Sequence, residues 1–78
     1  MNLKLTFYGQ TTELVNSNQL DFHFNKTSLK DLSEELEIAY PVLTRIECKL
    51  AVNNRFENGG LILKDNDEIS ILPPFSGG

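Results

Sequence analysis

The residues of this chain best suited to chemistry lie together at one end, in Pro73-Pro74-Phe75-Ser76-Gly77-Gly78. Two consecutive prolines lack backbone N–H groups, so a ladder of strand hydrogen bonds stops there. Their fixed φ favours a stiff, extended exit. Gly77 and Gly78 carry no Cβ and suit a channel too narrow for any side chain. Six extended residues reach about 20 Å. The expected working group is the α-carboxylate of Gly78, which is ionised at neutral pH because its ordinary pKa is about 3.3–3.7. A carboxylate is a poor electrophile and must first be activated, for example as a mixed anhydride with AMP. The sequence has no phosphate-cradling glycine loop of Walker type, so activation is expected from a second protein. Once activated, the carbonyl accepts sulfur or an amine. A frayed terminus is the plainer reading of any chain end, but a strand-ending diproline followed by a bare Gly-Gly argues against it.

The other reactive residues carry less. Cys48 has no histidine or second cysteine near it in sequence and reads as an inert thiol. His23 falls on an outward strand position between Phe22 and Phe24, and a lone histidine makes no metal site. Glu34, Glu35 and Glu37 read as a solvated helix face. There is no Ser-His-Asp set, no paired-carboxylate motif and no metal-ligand spacing. Tyr8, Phe56, Leu72 and Phe75 are apolar residues expected to face outward. If the strands bearing Tyr8 and Leu72 are neighbours, these residues form a docking surface beside the tail.

These residues are held by elements that the apolar pattern reveals. Residues 3–8 and 19–24 alternate with period two and read as an antiparallel pair of strands, with a short helical turn at 10–16 between them. Leu29, Leu32, Leu36 and Ala39 recur with helical spacing over 28–39. Thr27 or Ser28 supplies the N-cap, and Ser28 to Asp31 resembles a capping box. Tyr40-Pro41 ends the helix, and Pro41 opens a second short helix to about Glu47. Strands follow at 49–53, with Leu50 and Val52 inward, and at 68–72, with Ile69 and Ile71 inward. A short strand is expected at 61–63, and Phe56 in the loop before it. Asn66 suits the left-handed position of a tight turn over 64–67. Strands grouped around one long helix make an α+β fold of β-grasp, ubiquitin-like type: a mixed sheet of four to five strands covered by one main helix. The expected domain spans residues 1–72, with 73–78 a flexible, extended tail.

Composition narrows the function classes. A chain of 78 residues is one domain with little room for an internal substrate pocket, which favours a carrier or binding role over a free-standing enzyme. Net charge is −4 and the seven basic residues are scattered, so nucleic-acid binding is not expected. A single cysteine allows no internal disulfide. Neither a signal peptide nor a membrane-spanning run is present, so a cytoplasmic protein is expected.

The sequence resembles the small subunit of molybdopterin synthase, a ubiquitin-like sulfur carrier, along essentially its whole length. The resemblance is strongest in Lys49-Leu50-Ala51-Val52-Asn53 and in Leu63 to Ile69 running into Leu72-Pro73-Pro74-Phe75-Ser76-Gly77-Gly78. Phe7-Tyr8-Gly9-Gln10 and Glu13-Leu14-Val15 resemble the family's first strand and short helix. Two positions depart from its pattern. Thr12 stands where the family often has arginine, and Asn66 where the usual turn has glycine. The resemblance implies that Gly78 is adenylated by a ubiquitin-activating-like adenylyltransferase that uses ATP, then thiocarboxylated at the expense of a sulfur donor protein. It implies that the tail, with Pro73, Pro74, Ser76 and Gly77 threading and Phe75 docking, enters the large synthase subunit in a heterotetramer. There sulfur passes to cyclic pyranopterin monophosphate to build the dithiolene of molybdopterin. The chain itself is expected to bind no cofactor or metal and to catalyse nothing alone. The rivals are a thiamine-pathway sulfur carrier, against which Pro73-Pro74 argues, and a ubiquitin-like protein modifier or interaction module.

Overall fold

Alternating apolar side chains give one face of each long strand a continuous surface to bury. The structure, a computed structural model, describes residues 1–74. Strand β1 spans Asn2–Phe7, helix α1 Gln10–Val15, β2 Gln19–His23, helix α2 Leu29–Ala39, a 3-10 helix Pro41–Arg45, β3 Lys49–Val52, β4 Arg55–Phe56 and β5 Glu68–Leu72. The sheet order is β2-β1-β5-β3-β4. β1 and β5, the first and last strands, lie side by side in parallel, and the other pairs are antiparallel. This is the mixed-sheet β-grasp expected from the sequence.

Register places the core residues in rows across the sheet. Leu20, Leu5, Ile69 and Val52 face one another across four strands. Phe7, Ile71 and Leu50 form a second row. Leu29, Leu32 and Leu36 of α2 close over this face in the same cluster as Leu3, Phe24, Leu43 and Leu63. Each such side chain taken from water stabilises the fold by about 1.5–3 kcal/mol. α2 begins where Ser28 Oγ accepts the Asp31 N–H at 3.1 Å, satisfying one of the helix's unpaired donors; Ser28, not Thr27, is the cap.

The structure corrects several details. The helix after Pro41 is a 3-10 turn ending at Arg45, short of Glu47. Ala39 is exposed, because it sits at the edge of the apolar stripe in the last turn of α2. Leu61 to Leu63 is no strand: only Ile62 makes an isolated bridge, to Ser28. The extra strand is instead the two-residue β4, reached through Asn53 and Asn54, both at positive φ. Phe56 therefore stands on an edge strand and not in a loop. Leu50 is only half-buried, while Ala51, on the opposite face, is buried.

The 64–67 turn forms as expected, with Asn66 at φ 69°. Asp67 stabilises it by accepting the Lys64 N–H at 2.8 Å and the Asn53 side-chain N–H at 3.0 Å, which ties this turn to the β3–β4 turn.

Candidate functional site

β5 ends at Leu72, and Pro73-Pro74 follow outside the ladder. The corner between β1 and α1 fixes the geometry of this exit. After Phe7 the chain turns through Tyr8-Gly9-Gln10-Thr11, closed by Thr11 N–H donating to Tyr8 C=O at 3.1 Å. Gly9 holds φ 54°, ψ −131°, the dihedrals of the first central position of a type II′ turn, where glycine is favoured. A Cβ placed on Gly9 would lie 3.2 Å from Pro73 Cγ, so the proline ring packs directly on the bare glycine. Pro73 is half-buried there, and Pro74 is exposed.

Beneath the corner lies Thr11, fully buried at 0% exposure. Its Oγ1 accepts the Tyr8 N–H at 2.9 Å and donates toward Tyr8 C=O at 2.6 Å, with Ile71 C=O at 3.2 Å as a second acceptor. The Tyr8 N–H also reaches Ile71 C=O at 3.1 Å. The start of the tail is thus held to the first strand by a buried hydroxyl and a proline–glycine contact. Sequence reasoning missed Thr11, since a short helix has no apolar period that would separate it from its neighbour Thr12.

Thr12, at the position where the resembled family often has arginine, folds back on its own turn at the surface: its Oγ1 donates to Gly9 C=O at 2.7 Å.

The strands bearing Tyr8 and Leu72 are neighbours. The parallel register ends on Phe7–Ile71 and continues through the Tyr8–Ile71 hydrogen bond, which sets Tyr8 beside Leu72. Tyr8 is 45% exposed, and Leu72 is half-buried on the sheet's outer face, opposite Lys49. Phe56 shares that face and is 65% exposed, but it stands opposite Ala51, two strands from Leu72. The structure therefore brings Tyr8, Leu72 and Pro73 together and sets Phe56 apart. Phe75, Ser76, Gly77 and Gly78 lie outside the described residues.

The remaining candidates find no reactive setting. Cys48 is half-buried in a groove between α2 and β3 with Leu36, Leu43 and Leu50. Burial pushes its thiol above the ordinary value of 9.0, so little thiolate is present at neutral pH. His23 is exposed at the end of β2, and Glu34 and Glu37 are exposed on α2. Glu35 lies 3.8 Å from Lys26, a surface pair of small energetic weight. Among the described residues, no three or more His, Cys, Asp or Glu side chains gather as a metal site. No described helix is long and apolar enough to cross a membrane.

Comparison with known proteins adds to this geometry. A family model described as the ThiS family matches residues 5–78. The molybdopterin synthase sulfur carrier subunit of Caenorhabditis briggsae is 31% identical over 83 residues, covering all of this chain and 99% of that protein. Among solved structures, the chain is similar to one from the complex of subunits 1 and 2 of the molybdopterin-converting factor of Helicobacter pylori. That match has 30% identity and a TM-score of 0.73, and it covers both chains completely. It is also similar to small archaeal modifier protein 1 of Methanosarcina acetivorans, at 25% identity and a TM-score of 0.78, covering 99% of this chain and 96% of that one.

Proposed function

We propose, for a chain that belongs to the ThiS family, the role of sulfur carrier in a molybdopterin synthase. The observation that carries this reading is the span of the family match, which takes in the diproline and runs through Gly78. Relatives bearing the carrier name match the chain end to end.

In this reading residues 1–72 are the folded carrier and 73–78 the delivering tail. A ubiquitin-activating-like adenylyltransferase joins the Gly78 carboxylate to AMP, with pyrophosphate leaving from ATP. Sulfide from a donor protein attacks the acyl carbon and AMP leaves, giving a thiocarboxylate. In the large subunit its sulfur, a strong nucleophile, bonds to a side-chain carbon of cyclic pyranopterin monophosphate as the carbon–oxygen bond there breaks and the oxygen substituent leaves. Water then cleaves the acyl–sulfur bond, returning the carboxylate. A dithiolene needs two sulfurs, hence two loaded tails, which suits an assembly of two small and two large chains. The pterin site belongs to the large subunit, and this chain donates sulfur without catalysing the reaction. Tyr8, Leu72 and Phe75 dock on the partner, with Phe56 at the margin. Pro73 and Pro74 aim the tail, and Ser76 and Gly77 thread it. The proposed setting is the cytoplasm.

A second reading has an observation in its favour, the similarity to an archaeal modifier protein. There the same acyl adenylate would meet a lysine amine and end as an isopeptide. Deleting Gly78, or replacing Gly77 with leucine, separates tail from fold. Sulfur transfer should vanish while the circular-dichroism melting curve stays unchanged. A Gly78 deletion that still donates sulfur sinks the carrier reading.

A further inference from the structure

Thr11 is the one buried polar side chain among the described residues. Filling space does not require it: valine has the same shape and would avoid the cost of desolvating a hydroxyl. The hydroxyl is therefore explained by what it binds. It holds Tyr8 N–H at 2.9 Å and C=O at 2.6 Å, and its single proton is shared with Ile71 C=O at 3.2 Å. That carbonyl lies two residues before Pro73, at the last registered pair of the β1–β5 ladder. Past this pair β1 turns away at Gly9, and among the described residues Tyr8, Thr11 and the Gly9–Pro73 contact extend the hold on the end of β5 from this side.

We propose that Thr11 is a positioning residue for sulfur delivery, its hydroxyl fixing the end of β5 against the β1–α1 corner and so setting where and in which direction the tail starts. The proposal rests on the carrier function above. A long tail magnifies small errors at its root: a swing of about 10° at Pro73 moves the far end of an extended six-residue segment by about 3 Å. Misplacement of a reacting group by about 1 Å costs as much as a hundredfold in rate. Removing the hydroxyl should not undo the fold, because each backbone group keeps a partner. Tyr8 C=O retains the Thr11 N–H at 3.1 Å, and Tyr8 N–H retains Ile71 C=O at 3.1 Å.

The test compares thiocarboxylated wild type, Thr11→Val and Thr11→Ser in complex with the large subunit. Three quantities are measured: affinity, single-turnover sulfur transfer at saturating large subunit, and amide exchange at Tyr8. Loss of the hydroxyl's hydrogen bonds, with each backbone group keeping another partner, should leave Thr11→Val with affinity within about twofold, transfer about tenfold slower and Tyr8 exchange about tenfold faster. Thr11→Ser should restore both rates. If Thr11→Val does not fold, Thr11→Ala takes its place with the same expectation. A folded variant without the hydroxyl that transfers at the wild-type rate overturns the proposal and leaves Thr11 a structural residue. If wild type itself transfers no sulfur, the carrier reading fails and takes this proposal with it; an active wild type beside an unaffected variant removes this proposal alone.

Discussion

Replacing Gly9 with alanine tests whether the corner that seats the tail needs the backbone seen there. At φ 54°, ψ −131° a residue with a Cβ is strained, at a cost of about 1–3 kcal/mol. The new Cβ would also sit 3.2 Å from Pro73 Cγ. Because Pro73 is only half-buried, its ring yields by a few tenths of an ångström, and this adds a fraction of a kcal/mol to the backbone term. A domain of this size loses roughly 4–8 °C of melting temperature per kcal/mol, so Gly9→Ala should melt about 5–20 °C lower. The assay is thermal unfolding of wild type, Gly9→Ala, Pro73→Ala and the double variant. The double variant should recover only the small contact term, leaving the backbone term intact, which separates the two causes. An unchanged melting temperature in Gly9→Ala would show that the corner accommodates a side chain, and the account of how Pro73 is seated would fail.

Three further outcomes follow from the same geometry. Leu32→Ala empties a fully buried position between α2 and the sheet and should cost about 2–5 kcal/mol in urea unfolding with an unchanged m value. Tyr8→Ala and Leu72→Asp should each weaken binding to the large subunit about tenfold or more in calorimetric titration, and unchanged affinity in both would put the interface elsewhere. Cys48, its thiol pushed up by burial from 9.0, should react with iodoacetamide more slowly in the folded than in the unfolded chain. Because the folded protein keeps this proton where the unfolded chain loses it, the Cys48 contribution to stability falls as pH rises through 9.0. A Cys48→Ser variant should lack that component of the pH profile.

Much of the fold was legible because its strongest signals are local and repeated. Leu3, Leu5 and Phe7 alternate over a whole strand. Leu29, Leu32 and Leu36 keep helical spacing behind a Ser28 cap, and Ile69 and Ile71 lead straight into Pro73-Pro74. β4 was illegible by period, since two residues have none. Its signal was the turn: Asn53-Asn54, both tolerant of positive φ, sit between Val52 and Arg55 as in a tight hairpin. Leu61 and Leu63 looked like a strand because both pack inward, yet alternation over three residues is also what an irregular segment crossing the core produces. At the candidate site, the sequence marked the tail and the Tyr8–Leu72 neighbourhood. It could not mark Thr11 or the Gly9–Pro73 contact, because both depend on which strand ends meet in space. Phe56 was grouped with that neighbourhood by its chemistry, and only the sheet order shows that β3 lies between it and Leu72.

The central claim is that Gly78 carries sulfur, and intact mass reads it directly. The chain is incubated with the activating enzyme of its own cell, ATP and a sulfur donor, and then weighed. The expected result is one terminal oxygen replaced by sulfur, reversed when the large subunit and the pterin precursor are added. Persistent lysine conjugates, with no thiocarboxylate at any time point, would contradict it and make the chain a modifier.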